Sequence, residues 1–246
     1  MTDLLAKHGI TYSDADHRYE RFGQRITSVT GCLPYVENEW LAANQQVKEK
    51  AGDRGHKIAQ DIERCERQNR KPAYVTVLDS EDSAGWMTGY WRFKQETGFR
   101  TLVSPTGRHA VEMFVYHDLM DYVGRFDILG VCENLSKEII LIDVKASALI
   151  PKTVGMQTAA YLEAYNRCAK DYELPKAKKR ACLHLNPKLY RSGWKLEPLE
   201  NPRDFGNFMS LLNAQRIAKD MGCSLKFVPF DNRNDNQTVK PSEVFA

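Results

Sequence analysis

Two apolar, β-branched runs between Met120 and Ser147 flank the polar turn Glu133-Asn134-Leu135-Ser136-Lys137, a pattern that predicts a β-hairpin. The second run is apolar on both sides, with Ile139 and Leu141 on one and Ile140, Ile142 and Val144 on the other. That marks a central, buried strand. Residues 10 to 30 read as a further hairpin: Tyr12, Tyr19, Phe22, Ile26 and Val29 are strand formers, and Arg21-Phe22-Gly23-Gln24 is the turn. A helix from about Glu37 to Ala51 is expected to end at Gly52. A second runs from near Gly55 to about Gln68, with Ile58, Ile62 and Cys65 on one face. Ser80 is a candidate cap for a third, over residues 81 to 97, which stops at Gly98.

A strand from about His109 to Tyr116 precedes the central hairpin. Pro151 bars continuation of the hairpin's second strand, and a helix is expected from about Thr153 to Asp171. Strands follow at Lys179 to Leu185 and Trp194 to Leu199, then a helix from Pro202 to about Met221. A polar tail, expected to be mobile, begins at Asp231. The order predicts an α/β (α+β) domain with a central mixed β-sheet flanked by helices. An N-terminal hairpin and helical segment (residues 1–100) packs on the core (101–230), and the tail spans 231–246.

Composition changes this picture little. A chain of 246 residues with 42% hydrophobic content suits one compact globular domain. No apolar run approaches the roughly 20 residues of a membrane span, and the N-terminus lacks a signal-peptide pattern, so a cytoplasmic location is expected. The formal charge of +3 permits nucleic-acid binding without arguing for it. Cys32, Cys65, Cys132, Cys168, Cys182 and Cys223 are scattered without a Cys-x-x-Cys pair, so reduced and mostly buried thiols are expected. Trp86, Tyr90, Trp91 and Phe93 are spaced as core residues of a helix more than as a base-stacking platform.

Candidate chemistry sits at the end of the central strand. Asp143 and Lys145 share one side of it, because side chains alternate with period two. The preceding strand delivers Asp127. Charges beside a buried strand cost several kcal/mol each unless paired or bound to metal. An Asp-x-Lys tripeptide arises by chance about once in a chain of this length, so its context matters. Glu112 lies on the strand before, Gly124-Arg125-Phe126-Asp127 precedes it, and Gln157 and Tyr161 stand i, i+4 on the next helix.

In this order the residues resemble the PD-(D/E)xK nucleases, and within them the RecB-like exonuclease branch. That branch shows a Glu-bearing strand, Gly-x-x-Asp, Asp-x-Lys and Gln-x-x-x-Tyr. Here these are Glu112, Gly124 to Asp127, Asp143 to Lys145, and Gln157 to Tyr161. The resemblance covers residues 50 to 190, and the Tyr19 to Gly31 segment looks like phage and prophage members. It implies a restriction-endonuclease-like core and a metal-dependent deoxyribonuclease, an exonuclease in recombination or repair that leaves 5′-phosphates. A structure-specific flap or branch endonuclease is one alternative, and a non-catalytic DNA-binding or assembly protein keeping the fold is another.

By the same resemblance, Asp127, Asp143, Glu112 and the Val144 carbonyl would hold one or two Mg2+ or Mn2+ ions, which favour hard oxygen ligands. Lys145 would orient or activate the attacking water, and Gln157 and Tyr161 would position Lys145 or the DNA backbone. DNA is the expected partner, with a recombination or single-strand-binding protein as a further one; no membrane is involved and an oligomer is compatible. For a phage-encoded chain the location becomes the host cytoplasm. Many members carry a metal-binding His one helical turn after an Arg-Gly pair. Here Arg54-Gly55 is followed by His56, and Ala59 fills the usual slot. His56 is therefore a candidate ligand or a phosphate contact. The cysteine pattern of iron–sulfur relatives is absent, so no cluster is expected. Arg54 and the basic residues Lys176, Lys178, Lys179, Arg180, Lys188, Arg191 and Lys195 read as a phosphate track or as a solvated face.

Overall fold

The structure is a computed structural model that describes residues 3–14, 18–33, 45–68 and 81–223. Helix α1 (Asp3–Lys7) leads into a small antiparallel sheet of β1 (Ile10–Ser13), β2 (Arg18–Arg21) and β3 (Gln24–Arg25). Phe22 and Gly23, both at positive φ, make the second turn. β4 (Thr27–Ser28) and α2 (Val29–Cys32) follow, then α3 (Gln45–Gln68) and α4 (Glu81–Thr97). The rest is β5 (Phe99–Thr101), β6 (Val111–His117), β7 (Tyr122–Cys132), β8 (Ser136–Lys145), α5 (Val154–Cys168), a 3-10 turn (Ala169–Tyr172), β9 (Lys179–Leu185), β10 (Trp194–Pro198) and α6 (Asp204–Asp220).

The main sheet is mixed and seven-stranded, and β7 and β8 form its central hairpin. β9 runs parallel to β8, and β10 antiparallel to β9. β5 and β6 pair with the other edge of β7. The fold class is thus a mixed α/β domain, with helices on both faces of a central mixed sheet. On one face, Ile58 and Ile62 of α3 and Tyr90 and Phe93 of α4 pack on Ile128, Ile142 and Leu183. On the other, Ala160 and Tyr165 of α5 and Phe208 and Leu212 of α6 pack on Phe126, Leu129 and Leu141. The N-terminal sheet docks separately, through Ile10, Tyr19 and Ile26 against Tyr116 and Val123.

One feature of the register creates the site. β7 and β8 stay paired only as far as Ile128 opposite Ile142. Beyond that pair they part, and β4 takes up the vacated edge of β7 at Tyr122 and Val123, since β6 holds the other edge there. Asp127 and Asp143 are the first residues past the last rung.

The sequence pattern differs from the structure at several places. α3 runs unbroken through Gly52, where a helix end was expected, and through Gly55. A glycine C-cap needs positive φ, which Gly98 has at 65° and Gly52 lacks. Each glycine costs the helix about 1 kcal/mol relative to alanine, and burial of Ile58, Ile62 and Cys65 offsets this. The expected start of that helix at Glu37, the cap at Ser80 and the tail from Asp231 lie outside the described residues. β5 was not expected, because three residues are too short to show alternation. Trp86, Tyr90 and Phe93 are core residues, as their spacing predicts. Five of the six cysteines are buried, Cys223 is exposed, and all are free thiols. No helix among the described residues is long and apolar enough to cross a membrane.

Candidate active site

Strand parting leaves Asp127 and Asp143 unpaired with each other, while Asp143 keeps its rung to Cys182 of β9. Asp127 Oδ2 accepts the Val144 N–H at 2.5 Å. Asp143 is 1% exposed, and Lys145 Nζ lies 2.8 Å from its Oδ2. That contact is close but not aligned as a hydrogen bond, so this buried oxygen has no aligned donor among the described residues. Lys145 also donates to Gln157 Oε1 at 3.2 Å, and Gln157 Nε2 donates to the Tyr161 hydroxyl at 3.3 Å. The i, i+4 pair on α5 therefore meets the end of β8, and the period-two placement of Asp143 and Lys145 holds.

These groups line a cavity of about 350 Å³. Glu112, Asp127, Asp143, Lys145, Gln157 and Tyr161 form one wall, and Tyr12 and Tyr19 reach in from the N-terminal sheet. Gly124 is required by this packing: a Cβ there would lie 2.5 Å from the Tyr161 ring and 3.1 Å from Val29. Gly124→Ala is expected to lose about 1–3 kcal/mol of stability by overpacking. If Lys145 serves catalysis, displacing Tyr161, and through it Gln157 and Lys145, should lower turnover by up to about a hundred-fold. Denaturant melts and a turnover assay check both.

The cavity concentrates negative charge. Burial first, and then Asp143, push the Asp127 carboxyl up to about 7, against the pull of Lys145 and the Val144 N–H. Burial pulls the Lys145 ammonium down, but Asp143 and Asp127 outweigh it and hold Lys145 above the usual lysine value. Burial and then Asp127 likewise push Glu112 up to about 8, opposed by Arg125, whose Nε stands 2.9 Å from Glu112 Oε2. Glu112 also has φ of 48°, a left-handed conformation that costs a non-glycine residue on the order of 1 kcal/mol or more. It sits between the Val111–Ile128 and Met113–Phe126 rungs.

Among the described residues no group of three or more His, Cys, Asp or Glu side chains is arranged to hold a metal. Two carboxylates converge, and Glu112 is drawn to Arg125. His56 does not join them. It is exposed, its ring nitrogen lies 2.8 Å from Gln60 Nε2, and it does not line the cavity. Gly55, Ala59 and Ile62 face the cavity instead. Three residues along a helix leave His56 about 60° from the direction of Ala59, at 100° per residue. If the two carboxylates hold Mn2+, His56→Ala is expected to leave that affinity unchanged, whereas Ala59→His should strengthen it; calorimetric titration distinguishes the two.

The basic residues also divide. Arg180 is not available to DNA, because its side chain is 9% exposed and paired with Asp204 at 2.8 Å. It donates further to Gly155 O, Thr158 Oγ1 and Asn201 O, tying α5 to the start of α6. Lys176, Lys178 and Lys179 are exposed, at the end of the sheet away from the carboxylates. Lys179 is level with Ile140, five residues before Lys145, or about 16 Å at the usual rise. Lys188 and Arg191 are exposed beyond the end of β9 nearest the carboxylates. Arg54 packs its guanidinium 4.9 Å over Trp86 and does not line the cavity. Lys195 is paired with Glu197.

Sequence patterning also missed contributors. Tyr12 and Tyr19 precede Asp127 by about a hundred residues, and no periodicity links them to it. His184 is level with Lys145 on β9, and its Nε2 contacts Ser147 O at 2.9 Å. Since that carbonyl only accepts, Nε2 carries the proton. Asn186 donates to the same carbonyl at 3.2 Å, so the two fix the backbone that follows Lys145. No protein-family model matches the chain, and no curated protein matches it in sequence.

Proposed function

We propose that the chain is a metal-dependent deoxyribonuclease with a restriction-endonuclease-like core, acting on DNA from an end. The observation that carries this reading is the meeting of Asp127, Asp143 and a Gln157-bound Lys145 beside a cavity where β7 and β8 part. Asp127, Asp143 and the Val144 carbonyl would hold Mg2+ or Mn2+, and the buried Asp143 oxygen without an aligned donor fits a cation. Such an ion, when bound, offsets charge on the scissile phosphate and makes a bound water more acidic.

The chain's own residues define the rest. Lys145 is held charged by Asp143 and Asp127, so at neutral pH it is a donor and not a base. In that state it orients the attacking water and stabilises the extra negative charge on the phosphate oxygens. Gln157 fixes the ammonium and Tyr161 fixes Gln157. Lys145→Ala is expected to slow the chemical step by about a hundred-fold or more while Mn2+ still binds. Lys145→Arg should fail as well, since a planar guanidinium does not fit where a compact ammonium does. Single-turnover rates beside Mn2+ titrations test this pair.

The mode of attack is tested by Mn2+-dependent digestion of end-labelled linear DNA beside covalently closed circles. Loss of the linear substrate alone supports an end requirement. Equal cutting of circles makes the chain an endonuclease, and cutting of neither removes the nuclease reading.

A further inference from the structure

The cavity has a second wall that the phosphate chemistry does not use. Tyr12 and Tyr19 are cross-strand partners on β1 and β2, with ring centroids 4.7 Å apart. Phe114 of β6 meets Tyr12 edge-on at 5.1 Å, and the Arg125 guanidinium stands 5.5 Å from the Tyr12 ring centre. Ile10, Tyr19 and Ile26 are the buried anchors of the N-terminal sheet, and the partly buried Tyr12 and Phe114 pack against them. Tyr12 is only half-buried, and it lines the cavity. Arg125 in turn pairs with Glu112, a neighbour of Asp127 in the same cavity. The aromatic wall therefore adjoins the carboxylates through the Arg125–Glu112 ion pair.

Resting on the nuclease reading, we propose that Tyr12, backed by Tyr19 and Arg125, is a subsite for the nucleobase next to the scissile phosphate, so that the DNA strand enters unpaired. Aromatic rings and guanidinium planes are the surfaces on which unstacked bases pack. The size of the cavity points the same way. At about 350 Å³ it lies at the small end of ligand sites. A ring that stacks on the face of a base needs that base unstacked, which a single strand or a frayed end supplies. The substrate class is single-stranded DNA or a frayed duplex end.

The test compares an ordinary single-stranded oligodeoxynucleotide with one whose terminal residues lack bases. Binding to the full chain is followed by fluorescence anisotropy in Ca2+, and cleavage in Mn2+. Removing an aromatic platform costs about ten- to a hundred-fold in affinity. Tyr12→Ala is expected to raise the Kd and KM for the ordinary strand by about that factor, with little change in kcat. The wild type should show the same loss on the abasic strand, where Tyr12→Ala adds nothing. Tyr12→Phe should behave as wild type, because the flat ring and not the hydroxyl's bond to Asp14 is used. If Tyr12→Ala does not fold, Tyr12→Leu, which keeps apolar bulk without the ring, takes its place. Equal losses on both strands, or equal wild-type affinity for both, would overturn the subsite. If the wild type prefers the ordinary strand by the expected factor yet cuts neither, the subsite stands and the nuclease reading falls.

Discussion

Asp143→Asn is expected to melt at a higher temperature than the wild type in metal-free buffer at pH 8. With both carboxylates ionised, Asp127, Asp143 and Lys145 leave one uncompensated negative charge in a buried site. Asparagine at 143 leaves Asp127 and Lys145 as a neutral pair. The sign of the pH dependence follows from Asp127, which burial and then Asp143 push up to about 7. A carboxyl raised on folding contributes stability that is present below the ordinary carboxylate range, near 4, and lost as pH rises through the folded value. The gain from Asp143→Asn should therefore be largest at pH 8 and small near pH 5. About 1 kcal/mol corresponds to 2–4 °C in a chain of this size. Mn2+ should raise the melting temperature of the wild type at pH 8 and leave the variant unmoved. Asp127→Asn should behave similarly, since its carboxamide oxygen still accepts the Val144 N–H. A variant less stable than wild type at pH 8, or one that Mn2+ stabilises equally, would contradict the paired-carboxylate account.

Arg180→Ala is expected to cost about 3–5 kcal/mol, because it strands the buried Asp204 carboxylate without its partner. It also removes donors to the Gly155 and Asn201 carbonyls that join α5 to α6. The neighbouring Lys178→Ala and Lys179→Ala changes are exposed and should stay within about 0.5 kcal/mol of wild type. Urea unfolding of the three variants reads this directly. A mild effect at Arg180 would restore it to the surface as a candidate phosphate contact.

Arg180 also shows where sequence reading stops. In a run with Lys176, Lys178 and Lys179 it looks like any other cation, and only the tertiary packing of α5 and α6 separates it from them. His56 stays off the cavity for a geometric reason: three residues along a helix approximate a shared face but leave enough rotation to turn a ring outward. Gly52 failed because glycine marks a helix end only where φ is positive, and burial further along α3 outweighed its propensity. Local alternation, by contrast, was legible. The β7–β8 hairpin and β9 at Lys179–Leu185 stand where the pattern puts them, because a strand covered on both faces carries a near-continuous apolar run. The same period placed Asp143 and Lys145 together, and the i, i+4 rule placed Gln157 beside Tyr161. What joins those two pairs, the parting of β7 from β8, is a property of register that no local pattern carries. The Tyr12 wall was invisible for the same reason.

The most direct test of the central claim is single-turnover cleavage of a 5′-labelled single-stranded oligonucleotide in Mn2+, with wild type and Asp143→Asn assayed side by side. The account predicts hydrolysis by the wild type that EDTA abolishes, and none by the variant despite its intact fold. Cleavage that survives in Asp143→Asn, or none by a folded wild type with either Mg2+ or Mn2+, would contradict it.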